Sequence, residues 1–256
     1  MGREGDRGGR YGERRFFLKD NIRQQIDFSQ TGQSRGVSPP PLQKPIPDSL
    51  ERISLPDGAA ALVRLAKLSV GEAILARESR RDFSPATFSI EELSALLWAV
   101  QGVREVLSPA VALRAVPSAG ARHAFETYLA VSRVEGLDPG IYRYLPFDGE
   151  LVRLPGDGDP ALPAARACLG QGFVAEAAVV FFWTVIPARM EWRYGAAAHK
   201  VIAIDVGHVG QNLYLTTEAL GAGVCAIAAY DQEACDRLLG VDGEEEFTVY
   251  LAAAGK

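Results

Sequence analysis

The 256-residue chain carries 27 lysines and arginines against 32 aspartates and glutamates, a net charge of −5, with 48 % hydrophobic and 23 % charged residues. This is the composition of a globular chain that buries its own core, and it excludes wholesale disorder. The acidic balance argues against nucleic acid as a partner, and no run reaches the ~18 apolar residues of a membrane span.

Residues 1–15 hold five glycines and five arginines, a composition that predicts disorder. Phe16, Phe17, Ile22, Ile26 and Phe28 suggest a short helix. Five prolines in residues 38–47 impose an extended, polyproline-like connector. Residues 1–61 therefore read as an N-terminal arm and 62–256 as the folded body. Leu62, Leu65, Leu68, Ile74 and Leu75 have helical spacing. Ser89, with Glu92 three residues on, predicts a capped helix whose apolar face is Leu93, Leu96, Leu97 and Val100, ending at Gly102. Strands are expected over 127–134, 140–145 and 150–154, the last two joined by a turn at Phe147-Asp148-Gly149, and over 178–185, apolar on both faces. Residues 194–220 are helix-compatible, 224–228 a short strand, 232–239 a short helix and 247–254 a last strand. The absence of regular β-α alternation points to an α+β fold.

Three segments carry candidate chemistry. In an extended chain Arg77, Ser79 and Arg81 share one side, and two guanidiniums with a hydroxyl suit a phosphate; the plainer alternative is a solvated charged turn. The loop Pro117-Ser118-Ala119-Gly120-Ala121 lets backbone approach a planar ligand, or simply crosses between elements. His123 beside it has no acidic partner at a fixed offset, so a structural role is the plainer one. Small residues after Gly221 and Gly223, down to Ala228 and Ala229, leave backbone N–H groups free for a ligand. This is no dinucleotide fingerprint, because Ala226 stands at the third glycine position and a helix precedes it. There is no G-x-S-x-G, Walker A or H-E-x-x-H motif, and His199 and His208, nine apart, do not share a helix face. No metal site is expected. Cys168, Cys225 and Cys235 form no C-x-x-C pair, so they read as reduced, packed thiols in a cytoplasmic protein.

Together R-x-S-x-R-x-F (77–83), P-S-A-G-A (117–121), G-H-V-G-Q-N-L (207–213) and A-L-G-A-G (219–223) resemble the nitroreductase superfamily. The segments Leu96–Gly102, Pro117–His123 and Gly136–Tyr144 are similar to its SagB-type dehydrogenase branch. The resemblance spans about residues 62–256. It implies a central, mostly antiparallel sheet surrounded by helices in an intertwined homodimer, and an FMN-dependent oxidoreductase. Hydride would pass through flavin N5 in a ping-pong cycle, with NAD(P)H or a reduced substrate as donor and a small-molecule or peptide-derived substrate. It further implies that Arg77, Ser79 and Arg81 hold the phosphate and ribityl chain. Pro117, Ser118, Ala119 and Gly120 would reach the flavin from the partner subunit. Ala228 and Ala229 would face the ring edge, and Lys256 would lie near the phosphate.

Two departures stand out. Arg193-Tyr194 occupies the place of the branch's Lys-Tyr pair, and Ala121 stands where many nitroreductases have asparagine. Arginine stays protonated and cannot serve as a base. Arg193, Tyr194 and His123 are thus candidates for substrate contact only. The alternatives are a non-catalytic flavin-binding or flavin-fragmenting protein, or a scaffold using the proline-rich arm.

Overall fold

The computed structural model describes residues 15–156 and 158–256. The disorder expected of residues 1–15 therefore lies, apart from Arg15, outside the described residues. The strands are β1 (Arg52–Ser54), β2 (Val103–Ser108), β3 (Val111–Arg114), β4 (Phe125–Val131), β5 (Gly140–Leu145), β6 (Glu150–Arg153), β7 (Val179–Val185), β8 (Gly223–Ile227) and β9 (Phe247–Gly255). The helices are α1 (Gly58–Leu65), α2 (Val70–Ala76), α3 (Ile90–Gln101), α4 (Ala161–Ala167), α5 (Gly172–Glu176), α6 (Ala188–Tyr194), α7 (Ala198–Leu220) and α8 (Gln232–Leu239).

Seven strands form one sheet in the order β1-β6-β5-β4-β7-β9-β8, every neighbouring pair antiparallel. β7 lies inside it, between β4 and β9. Its side chains alternate between two cores. Val179, Phe181, Trp183 and Val185 join Leu93, Leu96, Leu97, Val209 and Leu213 beneath α3 and α7, whereas Val180 and Phe182 join Ala164, Cys168, Val174, Cys235 and Leu239 beneath α4, α5 and α8. Burial on both faces is why this strand reads as an unbroken apolar run, and each fully buried phenyl contributes about 1.5–3 kcal/mol. α3 begins at Ser89 with the full capping box: Ser89 Oγ accepts from Glu92 N, and the Glu92 carboxylate accepts from Ser89 N at 2.7 Å. α1 crosses it at Gly58, where any Cβ would lie 2.5 Å from Ser94 O.

Several expectations are corrected. The leucine pattern from Leu62 to Leu75 is two helices, not one, because Ser69 caps a fresh start with Glu72 as its box partner. Leu75, at 88 % exposure, faces outward. Residues 16–28 give no regular helix beyond Phe16, only 3-10 turns at Asn21–Gln25 and Phe28–Gln30. The segment before residue 62 also joins the body: Arg52–Ser54 pairs with β6 as an edge strand. The long helix expected over 194–220 begins at Ala198, after a 3-10 turn at Gly195–Ala197 that separates it from α6, a helix the sequence reading did not foresee. The hairpin β2–β3 and the alanine-rich α4 were not expected. β2 is largely exposed, so its pattern lacks alternation, and three of the seven residues of α4 are alanines besides the one that opens it, giving little apolar signal.

α7 has two unlike faces. Ile202, Val206, Val209 and Leu213 are buried, while Ile204 (50 % exposed), Gly207, His208 and Gln211 form an outward stripe. The helix is therefore amphipathic rather than apolar all round. Gly221 ends it in the left-handed conformation, φ 75°.

Candidate functional site

The site residues expected from the sequence fall into two groups. The first lies at the open edge of β8. The chain leaves α2 at Arg77 and runs beside that edge without regular structure, tied by Arg80 N donating to Val224 O at 3.1 Å. Ser79 Oγ lies 2.8 Å from Tyr214 Oη, and that oxygen accepts from Ala226 N at 2.9 Å. The Arg77 guanidinium sits 5.4 Å from the centre of the same ring. Arg81 goes elsewhere, over Phe173 at 5.8 Å. Tyr214 packs against the core under α7 and Phe173 against the opposite core, so the structure brings Arg77 and Ser79 together and parts Arg81 from them. Strict alternation needs a regular strand, which this segment is not.

Charge divides the arginines differently. Arg80 is bound to Glu78 and Glu218 at 2.7 and 2.8 Å. Among the described residues, Arg77 and Arg81 contact aromatic rings and have no carboxylate partner. Lys256 is paired with Glu92 at 2.8 Å and shares a cleft of about 250 Å³ with Arg80 and Asp82. Beyond β8, Ala228 and Ala229 are exposed, and among the described residues their N–H groups bond to no backbone carbonyl. Gln171 Nε2 donates to Ala229 O at 3.0 Å, fixing the turn.

The second group is the loop after β3. Gly120, Ala121 and His123 all have positive φ (59°, 52° and 46°), a conformation costly for the two that carry a Cβ. Gly120 is required here, because a Cβ would lie 2.7 Å from Tyr194 Oη and 2.9 Å from Arg193 Nε. Arg193 and Tyr194 thus meet the loop directly. Ala119 N donates to Asp205 Oδ2 at 3.1 Å, and His123 N to Ser118 Oγ at 3.0 Å. His123 is 3 % exposed, with Nε2 2.9 Å from Ala112 O. Burial, with Arg114 next in effect, pushes its pKa down to about 3. It is a neutral structural donor, not an acid or base.

Beneath the loop lies a buried charged lattice that motif reading missed. Arg189 bonds the Glu126 carboxylate, both almost fully buried. Arg122 donates to Arg189 O and lies over Trp192 at 4.7 Å. The proline-rich segment closes this lattice. Pro41 O accepts from Arg189, Leu42 O from Arg114 and Lys44 O from Arg143, at 2.8, 2.9 and 2.6 Å, while Lys44 reaches Glu246. Trp192, beside Arg193, donates to Val37 O at 2.8 Å. The sequence signal was available: a proline-rich stretch offers carbonyls with few competing N–H groups.

An apolar recess of about 410 Å³ lies between the first half of α7, the start of β9 and Tyr230, walled by Val185, Ile202, Val206 and Phe247 with Phe17 at its edge. Among the described residues there is no cluster of three or more metal-ligating side chains, and no helix is long and apolar enough to cross a membrane.

This architecture is that of a known class. Residues 74–256 match the model of the nitroreductase family, and the chain belongs to it. A Methanocaldococcus jannaschii protein named nitroreductase MJ1384 is 29 % identical over 209 residues, 82 % of this chain and 98 % of that one. The trifolitoxin-processing protein TfxB of Rhizobium leguminosarum bv. trifolii is 26 % identical over 133 residues, half of this chain and 36 % of its own length. Among solved structures, a Ralstonia eutropha nitroreductase aligns over 86 % of this chain and 98 % of its own at TM-score 0.65 with 22 % identity. An Anabaena variabilis nitroreductase aligns over 84 % of this chain and 45 % of its own, also at 0.65, with 23 % identity. The Escherichia coli microcin synthetase McbBCD complex aligns over 74 % of this chain and 73 % of the matched chain at 0.58 with 18 % identity.

Proposed function

We propose that this nitroreductase-family oxidoreductase is FMN-dependent, belongs with the SagB-type dehydrogenases, and works as a cytoplasmic homodimer whose two flavin sites are each shared between subunits. The observation that carries this is the separation of the two half-sites. Asp205, which holds the loop, and Tyr214, which holds Ser79, are nine residues apart on α7. At 1.5 Å and about 100° per residue they are about 13 Å apart along the axis and about half a turn apart around it. The two halves thus open on different sides of α7. The outward stripe at Ile204, His208 and Gln211 lies between them, so a second copy seated on it brings the loop half of one chain toward the edge half of the other.

The donors at the edge fit FMN. Arg77 and Arg81 lack carboxylate partners, as a phosphate site requires. Ala226 N–H occupies one lone pair of Tyr214 Oη. With the phenol then donating to Ser79, the serine proton is free for an oxyanion. The N–H groups of Ala228 and Ala229 offer neutral donors to the polar edge of a ring. When bound, FMN supplies the two-electron chemistry, and the protein supplies binding, orientation and exclusion of water. Arg193 and Tyr194 form a substrate-facing wall at the loop. A protonated guanidinium there orients or neutralises an electron-rich group and removes no proton.

The likeness to TfxB and to the microcin synthetase supports a peptide-derived substrate, with a small molecule as the alternative. NAD(P)H or the reduced substrate is the hydride donor. Residues 62–256 are the flavin-binding unit, braced by residues 37–44 of the arm through the arginine lattice. Lys256, tied to Glu92, is a secondary phosphate contact. The free, buried cysteines suit a reducing compartment.

The test is spectroscopic. Purified full-length protein should carry flavin absorbance that bleaches anaerobically with NADH, NADPH or substrate. A colourless protein that takes up no FMN overturns the reading, and flavin uptake without any reduction favours the non-catalytic alternative.

A further inference from the structure

Asp205 belongs to none of the motifs read from the sequence, yet its placement is unusual. It is 5 % exposed, on the inner side of α7. No lysine or arginine pairs with it among the described residues. Its hydrogen-bond partner belongs to the loop: Ala119 N donates to Oδ2 at 3.1 Å. Burial of such a group is unfavourable unless its hydrogen bonds are needed where they are made. The loop it holds is itself strained, with three of the four residues from Gly120 to His123 in the left-handed region, two of them not glycine. Two costs converge on five residues.

We propose that Asp205 is the positioning residue of the flavin-facing loop: by taking the Ala119 N–H it fixes Pro117–Gly120 for a ligand presented from across the α7 stripe. Ser118 braces the loop from within, its oxygen accepting from His123 N at 3.0 Å. The inference rests on the shared-flavin reading for its ligand, but the anchoring itself does not.

The experiment compares full-length wild type, Asp205→Ala and Asp205→Asn by hydrogen exchange over residues 115–124 and, after removal of flavin, by FMN titration. Asn keeps a side-chain oxygen for Ala119 N–H. Asp205→Ala is expected to speed exchange of the 118–123 amides at least ten-fold and to weaken FMN about ten-fold, with Asp205→Asn recovering most of both. Unchanged exchange in Asp205→Ala overturns the anchor. Faster exchange with unchanged FMN affinity overturns its role toward flavin. Loosening spread through α7 and β4, without rescue by Asn, shows a core residue only and also overturns it. If wild type takes up no FMN, the flavin reading fails, and exchange alone decides whether Asp205 holds the loop. If Asp205→Ala does not fold, Asp205→Leu, branched like aspartate and without an acceptor, carries the same two measurements.

Discussion

Around Arg77 and Ser79 the chain is irregular and largely exposed, and its cations rest on aromatic rings, while from Ser118 to His123 it passes from half-buried to buried, is left-handed at three positions and is tied by hydrogen bonds to Asp205 and Ala112. The edge guanidiniums of Arg77 and Arg81 have no carboxylate partner among the described residues; beneath the loop, Arg114, Arg122 and Arg189 all hold backbone carbonyls. The contrast teaches that binding energy and geometric precision are supplied by different parts of the chain. An exposed charge is available to a ligand but positions poorly. A buried lattice positions well because its cations are tied to carbonyls and to a buried carboxylate.

The sharpest break falls on the loop group. Arg189→Ala strips the one guanidinium in contact with the buried Glu126 carboxylate and with Pro41 O, so it should cost about 3–5 kcal/mol of folding free energy. Urea unfolding of the variant measures this, and a loss below about 1 kcal/mol would show the lattice to be ornamental.

His123 gives the next effect. Its folded pKa, about 3, lies below the ordinary 6.5, so its neutral form stabilises the fold. That contribution is complete above pH ~6.5 and is lost as the pH falls toward about 3, at up to ~1.4 kcal/mol per unit. Compared with His123→Gln, wild type should lose stability faster across that window; parallel pH profiles would contradict the burial argument.

The edge group should behave in the opposite way, losing ligand and keeping its fold. Arg77→Ala is expected to weaken FMN ten- to hundred-fold, about 1.5–3 kcal/mol, with little change in melting temperature. Arg81→Ala should weaken it less, since Arg81 lies over Phe173, away from Ser79. Equal losses would mean that ligand redraws Arg81 to the same point. Smallest is Tyr214→Phe, which leaves Ala226 N and Ser79 without their shared oxygen and should cost about 0.5–1.5 kcal/mol in stability or FMN affinity.

The sequence was legible where local chemistry decides. The Ser89–Glu92 box, the 140–154 hairpin, the doubly apolar β7 and the Gln232–Leu239 helix are all written in their own residues and near neighbours. It was opaque where partners come from afar. The prolines mark a stretch of carbonyls free to accept, but nothing near Pro41, Leu42 or Lys44 says that the arginines at 114, 143 and 189 are the ones that take them. Asp205 carries no local sign of reaching Ala119, 86 residues away. Of the candidate site, Arg77 with Ser79 and Gly120 with Arg193 and Tyr194 do meet. Arg81 and Lys256 are drawn off by Phe173 and Glu92, contacts that alternation cannot foresee.

The central claim is that neither chain alone completes the flavin site, so FMN binding and association are linked. Sedimentation of flavin-free protein across low concentrations, with and without saturating FMN, tests it directly. A ligand held only by the assembled form stabilises that form by mass action, about 4 kcal/mol at a thousand times its dissociation constant. FMN should therefore shift the population toward dimer and lower the dimer dissociation constant. A dimer dissociation constant indifferent to FMN, or a monomer that binds FMN at full affinity, would contradict it.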